Sequence, residues 1–374
     1  MGSAYTPGLT VSKDVVVQRV RRLPIKGDVL VQKGQPVKFD TIVARALLPG
    51  PLQTIKLAEK LGVEPKEVTA FSEIKVGDSV EKGQLVGKTK GFLFFKGPEV
   101  MSEYSGTVES ISEITGSVLI REASIPVEIS AYVDGHIADV LPNEGAIVET
   151  RGAMVQGIFG VGGERNGPIR VAVSSPDDML EASHIQESDK GMIVVGGSGV
   201  TYDALQRASS VGVVGIVAGA IKDVDLTKFL GYDIGVAITG QEQINLTLIA
   251  TEGFGTLHMA ARTFNLLKTI EGQNASLNGA TQIRAGVIRP EVIAPMQSAS
   301  GEAHVAGSGG SLEVGTPIRV IREPYFGMLG KVTGLPPQLV TVESGAEVRV
   351  LNAKLDDGQE VTVPRANVEI IATS

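Results

Sequence analysis

A glycine-rich loop in the middle of the chain is the clearest pattern for binding an anion. It follows the apolar run Met192–Val195 and precedes a helix that we expect to begin at Tyr202. Backbone amides beside a helix N-terminus point toward a ligand and favour negative charge. The loop has neither the Lys-Ser/Thr pair of a Walker loop nor a complete dinucleotide-binding fingerprint. We therefore predict an anion or ligand site, without a nucleotide signature, at Gly196, Gly197, Ser198 and Gly199.

Charged residues follow the neighbouring apolar runs. Lys222 and Asp223 could bind an anionic substrate and orient a divalent cation, or they could cap the helix expected over Asp223–Leu230. Glu252 stands in a second loop between an apolar run and a predicted helix. Its carboxylate could accept hydrogen bonds from the amides of that helix or hold a metal. Arg284 could close over an anion or bridge two domains. No metal site is assigned, although Asp223 is the candidate for one.

Residues 176–297 alternate apolar runs with helical patterns, which predicts an α/β domain with a mainly parallel sheet. The strings "VVGGSG" and "GVVGIVAGAIKDVDLTKFLGYDIGV" resemble ribonuclease-activity regulators and hydroxy-methyl-oxoglutarate aldolases, which have a swivelling α/β domain. The resemblance implies a metal-dependent lyase acting on a small oxo-acid. Lys222 stands where that family has the substrate-binding Arg, and lysine lacks the bidentate fork of arginine. Non-catalytic swivelling domains share the pattern.

Residues 1–175 contain two repeats of short strands and glycine turns. In the first, Lys26–Val37 is echoed by Val76–Val86; in the second, Gly106–Arg121 is echoed by Gly135–Thr150. A strand-turn-strand unit cannot bury its apolar face alone, so we expect each unit of the second repeat to pair with its copy. Between the copies of the first repeat, the apolar spacing predicts a helix over Leu52–Leu61.

The phrase "VGDSVEKGQLVGK" resembles barrel-sandwich hybrid domains, the fold of biotinyl and lipoyl carriers. Carriers hold their modified lysine in a Met-Lys-Met or Asp-Lys-Ala context, and the sequence has neither. We therefore expect a structural hybrid domain with one helix inserted, and we predict no cofactor for the chain.

The last segment, residues 312–374, follows a small-residue stretch at 298–311 that we predict to be a flexible linker. Gly315–Val332 resembles a KOW motif, which implies an SH3-like barrel that binds RNA or protein. Tyr325 and Phe326 are its candidate partner-binding residues. The segment has six basic and eight acidic residues, so the electrostatics disfavour RNA.

The composition sets the remaining expectations. The net charge is −8 and the sequence has no cysteine, which excludes disulfides, thiolate metal sites and cysteine nucleophiles. The N-terminal residues do not resemble a signal peptide, and no apolar run is long enough to cross a bilayer. We expect a cytoplasmic protein with no membrane partner.

Three functions remain open. The first is a non-catalytic scaffold or partner-binding protein that self-associates, because repeated β units have edges that need covering. The second is a ribosome- or polymerase-associated factor acting through the KOW barrel. The third is the metal-dependent lyase implied for the middle domain.

Overall fold

The computed structural model describes residues 9–90, 97–232, 242, 244–281, 288–296, 304–305, 312–320, 322, 324–325, 328–341 and 347–370. Strands make up 47% of the structure and helices 15%, so the prediction of a β-rich chain is confirmed. The described residues bury five separate hydrophobic cores, as expected of a chain built from several units.

The N-terminal half is made of short strands around two of these cores. Its elements are β1 (Val11–Arg22), β2 (Asp28–Val29), β3 (Pro36–Val37), β4 (Ile42–Leu48), β5 (Leu52–Ile55), α1 (Leu57–Leu61), α2 (Val68–Phe71), β6 (Ser79–Val80), β7 (Leu85–Lys88), β8 (Glu99–Met101), β9 (Gly106–Ser112), β10 (Ser117–Arg121), β11 (Ile125–Ser130), β12 (Gly135–Leu141) and β13 (Gly145–Gln156). Strands β1–β4 and β11–β13 enclose one core, and the elements from β5 to β10 enclose the other. The second unit is thus inserted between β4 and β11.

The first sequence repeat is also a structural repeat. In both copies a Lys-Gly-Gln turn has its glycine in the left-handed region, at φ +82° for Gly34 and +87° for Gly83. The side-chain oxygen of Gln35 accepts from the amide three residues earlier at 3.0 Å, and that of Gln84 does the same at 3.0 Å. Each glycine amide donates at 2.7 Å to a carbonyl of another segment. The same type of turn, with the same hydrogen bonds, is therefore present in both N-terminal units.

The second repeat forms two hairpins, but the expectation that they pair with each other is wrong. β9 and β10 lie in a four-stranded sheet between β6 and β5. β12 and β13 lie in a different sheet, where β12 pairs with β3 and β13 pairs with β1. Because one unit is inserted into the other, each hairpin buries its apolar face in its own core.

The helix expected over Leu52–Leu61 is wrong in its first half. Leu52–Ile55 forms β5, which pairs antiparallel with β10, and only Leu57–Leu61 is helical. The side chains of Ile55 and Leu57 are both buried in the second core. Tertiary pairing with β10 overrides the helical spacing of the apolar residues.

The middle of the chain forms a sheet with helices. Its elements are β14 (Phe159–Val161), β15 (Glu164–Val171), β16 (Met179–Leu180), β17 (Ile193–Val195), β18 (Gly199–Val200), α3 (Tyr202–Val211), β19 (Gly215–Ile221), α4 (Asp223–Leu230), β20 (Thr247–Phe254), α5 (Ala261–Thr269), β21 (Asn274–Asn278) and β22 (Glu291–Pro295). β15, β17, β19 and β20 are parallel neighbours. Helix α4 has the predicted bounds, whereas an apolar run at 234–238, expected as a strand, lies outside the described residues.

A single large sheet joins the N-terminal and middle parts. β13 pairs with β1 along nearly its whole length, with one irregularity between Ser12 and Val15, and on its other side it pairs first with β12 and then with β22. From β22 the sheet continues to β21, then to β15, and from β15 to the other parallel strands. The sheet therefore runs across the predicted boundary at residue 175, which stays a prediction.

Polar side chains form two ion pairs at this join: Glu291 and Tyr132 are buried, Arg19 and Arg21 are half-buried, and Glu164 is exposed. The Arg19 guanidinium donates to both carboxylate oxygens of Glu291, and the Tyr132 hydroxyl lies 3.4 Å from one of them. Arg21 makes a bidentate pair with Glu164 at 2.6 and 2.7 Å. Burial and the Glu291 carboxylate raise the pKa of the Tyr132 hydroxyl well above its ordinary value.

The C-terminal elements are β23 (His304–Val305), β24 (Pro317–Val320), β25 (Leu329–Gly334), β26 (Leu339–Thr341), β27 (Glu347–Leu355), β28 (Glu360–Pro364) and β29 (Val368–Ile370). β24–β29 form an antiparallel sheet around a core of their own. The KOW resemblance implies a tight turn at Gly330, but this glycine lies within β25, where an added Cβ would sit 2.6 Å from the Lys354 carbonyl oxygen. Of the predicted linker at 298–311, only His304–Val305 is described, and it pairs with β1.

Two glycine substitutions should separate backbone strain from steric overlap. An added Cβ at Gly83 meets nothing within 4 Å, so Gly83→Ala should cost only the left-handed conformation, about 1–2 kcal/mol. An added Cβ at Gly106 would lie 2.1 Å from the Arg121 carbonyl oxygen, so Gly106→Ala should cost more. Urea unfolding of both variants measures the order, and an equal or larger loss for Gly83→Ala would contradict it.

Candidate functional site

Three of the predicted sites lie at one edge of the parallel sheet. β17, β19 and β20 run in the same direction and end at Val195, Ile221 and Phe254. The loop 196–199, the pair Lys222 and Asp223, and Glu252 therefore share the carboxyl edge of the sheet. In open α/β sheets, this edge is where ligands bind.

The loop 196–199 is packed within the protein. All four residues are buried, and the amides of Gly196 and Ser198 donate to the carbonyls of Val217 and Asp178 at 2.8 and 2.9 Å. The following helix is capped by the Thr201 hydroxyl, which accepts from the Ala204 amide at 3.2 Å. These bonds engage two of the four predicted anion-binding amides. Gly199 itself lies in β18, which pairs with β16, and an anion site at this loop stays a prediction.

Lys222 and Asp223 are exposed at the start of α4. The Lys222 carbonyl accepts from the amides of Asp225 and Leu226, both at 3.1 Å, so Lys222 is the backbone cap of the helix. Asp223 and Asp225 are in the first turn, where negative charge is stabilised by the helix dipole. Among the described residues, no three potential metal ligands cluster together, at Asp223 or elsewhere. The geometry is that of a helix start, one of the two alternatives left open by the sequence.

Glu252 is the most deeply placed charged group of this edge. It is 6% exposed, and its Oε1 accepts from the Ala260 amide, just before α5, at 3.1 Å. The Nη1 atom of Arg319, from β24 of the C-terminal sheet, lies 3.5 Å from the same oxygen, and Arg319 is 4% exposed. Glu252 therefore connects three elements: β20, the start of α5 and the C-terminal sheet. Its carboxylate accepts from the amide of the residue before α5, its role in binding a ligand stays a prediction, and Arg319 is a partner that the sequence analysis missed.

Of the remaining candidate residues, the structure describes Tyr325 only. Tyr325 is half-buried and packs against the core of the C-terminal sheet. Arg284 and Phe326 lie outside the described residues.

A second candidate place is an open cleft between the N-terminal and middle parts. Its volume is about 1120 Å³, and its walls include Lys38, Asp134, His136, Glu149, Arg151, Asn166 and Asn274. Its charged side chains form pairs: Lys38 with Asp134 at 2.9 Å, and His136 with Glu149 at 3.5 Å. The cleft offers hydrogen bonds to a polar ligand. No local motif marks it, because its walls come from strands distant in sequence.

The comparisons with known proteins give no family. No protein-family model matches the chain, and no curated protein matches it. Within the described residues, no helix is both long and apolar enough to cross a bilayer.

Removing the Glu252 charge should destabilise the protein far more than removing a surface charge. Removing one partner of a buried ion pair is strongly destabilising, so Glu252→Gln should lower the free energy of unfolding by about 3 kcal/mol. The control is Glu187→Gln, which breaks an exposed pair with Arg207 (2.7 Å) and should cost at most about 1 kcal/mol. Chemical denaturation measures both. Similar losses for the two variants would mean that the buried pair has no special role.

Proposed function

We propose that this chain is a non-catalytic assembly protein that self-associates through an exposed apolar surface of its N-terminal half. This surface, here called the neck face, consists of Leu47, Leu52, Ile125 and Pro126. It lies where the chain passes from the first N-terminal unit into the inserted one and back again. The observation that carries the proposal is the exposure of large apolar side chains on these adjoining segments: 62% for Leu47 and 50% for Ile125.

The register of β4 and β11 places these residues at one end of the sheet edge. Leu47 on β4 lies directly opposite Pro126 on β11, so these two share a face, whereas Ile125 lies opposite Leu48 on the other face of the same edge. The two segments that leave β4 and lead into β11 are also joined beyond the strands, because the Glu122 amide donates to the Pro51 carbonyl at 3.0 Å. Single exposed apolar residues are ordinary on a protein surface, whereas several gathered at one end of an open edge favour an interaction site.

The neck face suits a second copy of the same chain. β11 is an edge strand of the described three-stranded sheet β11-β4-β2, and an open edge invites pairing with another chain. Next to the apolar residues, Arg45 and Glu128 form an exposed ion pair at 2.6 Å. In a twofold assembly, the same patch meets itself, so a positive and a negative group from each copy can pair across the interface. An apolar centre with a charged rim is the usual anatomy of such an interface.

We also propose finer assignments for the modules. The two N-terminal units are barrel-sandwich hybrids, a proposal supported by the repeated Lys-Gly-Gln turn. The C-terminal sheet is a KOW-type SH3-like barrel, supported by the antiparallel β24–β25 pair and by a core of its own. These modules serve as the frame that presents the neck face.

Leu47→Glu should abolish self-association. A carboxylate at the centre of the apolar surface cannot be desolvated without a large cost, so the dimer should dissociate. Sedimentation or light scattering over a range of concentrations should give twice the chain mass for the parent protein and the chain mass for the variant.

The matched control is Val224→Glu, the same kind of change at a 75% exposed residue on α4, and it should remain dimeric. Circular dichroism should give the same spectrum for all three proteins. A parent protein that stays monomeric at high concentration would refute the proposal, as would dissociation of both variants.

A further inference from the structure

We propose that the open cleft between the N-terminal and middle parts binds a small aliphatic amine, with Glu149 as the carboxylate that takes its ammonium group. The lining of the cleft includes none of the neck-face residues, so the proposal does not depend on self-association.

The register of the strands gathers the polar side chains of the cleft on one face of the sheet. Glu149 on β13 lies opposite Gln18 on β1 and opposite His136 on β12. Residues directly opposite each other on neighbouring strands have their side chains on the same face. Further walls come from the middle part, at residues 272–274 and 295–296. Glu149 therefore lines a cleft of about 1120 Å³, which is large enough for a small molecule.

Among the described residues, Glu149 has no lysine or arginine partner. Its carboxylate accepts from the side-chain amide of Gln18 at 2.6 Å. It also lies 3.5 Å from the imidazole of His136, which is charged only when it is protonated. The Glu149 side chain is 26% exposed, so water solvates the carboxylate only in part. A permanent positive charge beside it is missing from the described part of the chain.

The neighbouring carboxylates do have cationic partners. Asp134, the other acidic residue of the described lining, pairs with Lys38 at 2.9 Å. Arg151 also lines the cleft, and it makes a bidentate pair with Asp14 in which both distances are 2.7 Å. Attraction between opposite charges is stronger at a partly buried site than in bulk water. The cleft therefore favours a ligand with a positive charge, which Glu149 would bind.

The rest of the lining indicates an aliphatic ligand. Val16, Pro295 and Met296 provide apolar surface for methylene groups. The described lining contains no aromatic side chain, so a flat ring would have nothing to stack on. Asn166 donates its side-chain nitrogen to the Ser276 hydroxyl at 3.0 Å, and its side-chain oxygen accepts from none of the described residues. These groups fit a short alkyl chain that has an ammonium group at one end and a hydroxyl group at the other.

The experiment measures the binding of 4-amino-1-butanol to the full chain, with 1,4-butanediol as its uncharged counterpart. The two compounds have the same chain length, and sodium chloride keeps the ionic strength equal. Titrations followed by the NMR signals of the ligand give the two Kd values for each protein.

Four proteins are compared: the parent, Glu149→Gln, Gln18→Lys and Glu109→Gln. Glu149→Gln removes the charge and keeps the shape of the side chain. Gln18→Lys keeps Glu149 but supplies a cation from an exposed residue that already contacts the carboxylate. Glu109→Gln is the matched control, because it removes the same charge from β9, outside the cleft.

The parent and Glu109→Gln should bind the amine about tenfold more tightly than the diol, because a charge-assisted hydrogen bond is stronger than a neutral one. Glu149→Gln and Gln18→Lys should bind the two compounds equally. Three results would overturn the site: equal affinities in the parent, no measurable binding of the amine to the parent, or a preference for the amine that persists in either folded cleft variant. Circular dichroism checks the fold of each variant, and if Glu149→Gln does not fold, Gln18→Lys decides.

Discussion

The architecture depends on one strand being shared between two units. β13 is paired with β1 along nearly its whole length, while its other side is divided between β12 of the N-terminal half and β22 of the middle part. Backbone groups on a buried strand must find partners, so neither half can leave this strand without exposing unpaired amides and carbonyls. The N-terminal units and the parallel sheet are therefore continuous through hydrogen bonds, and no loose linker separates them.

The buried network beside β13 adds specificity to the join. Glu291 comes from β22, Arg19 comes from β1, and Tyr132 lies between β11 and β12. Tyr132 has a φ of +72°, a left-handed conformation that costs a non-glycine residue free energy. Its ring is buried, and the guanidinium of Arg21 lies 5.4 Å from the ring centroid. Surrounding contacts from three segments hold the tyrosine in this conformation, which fixes the two parts in one arrangement.

Local patterns were enough to predict local structure. The helix at Asp223–Leu230 was predicted from a few neighbouring residues, and it is present. The string Asp356-Asp357-Gly358 likewise indicates a turn, and it joins β27 to β28. The pairing of the hairpins was not predictable in this way, because the insertion of one unit into another leaves no mark on the glycine spacing. For the same reason the sequence suggested Glu252 as a helix cap but not its contact with Arg319, which lies 67 positions later in the chain. The exposure of Leu47 could not be predicted either, because the residue stands in an apolar stretch of sequence and becomes exposed only through the way the strands pair.

Self-association through the neck face can be measured by hydrogen exchange at two protein concentrations. At the higher concentration, amides of β4 and β11 should exchange more slowly, because a second copy covers the face and the open edge of β11. Amides of α4, which lies in the middle part of the chain, should exchange at the same rate at both concentrations. Exchange of β4 and β11 that does not depend on concentration would contradict the account.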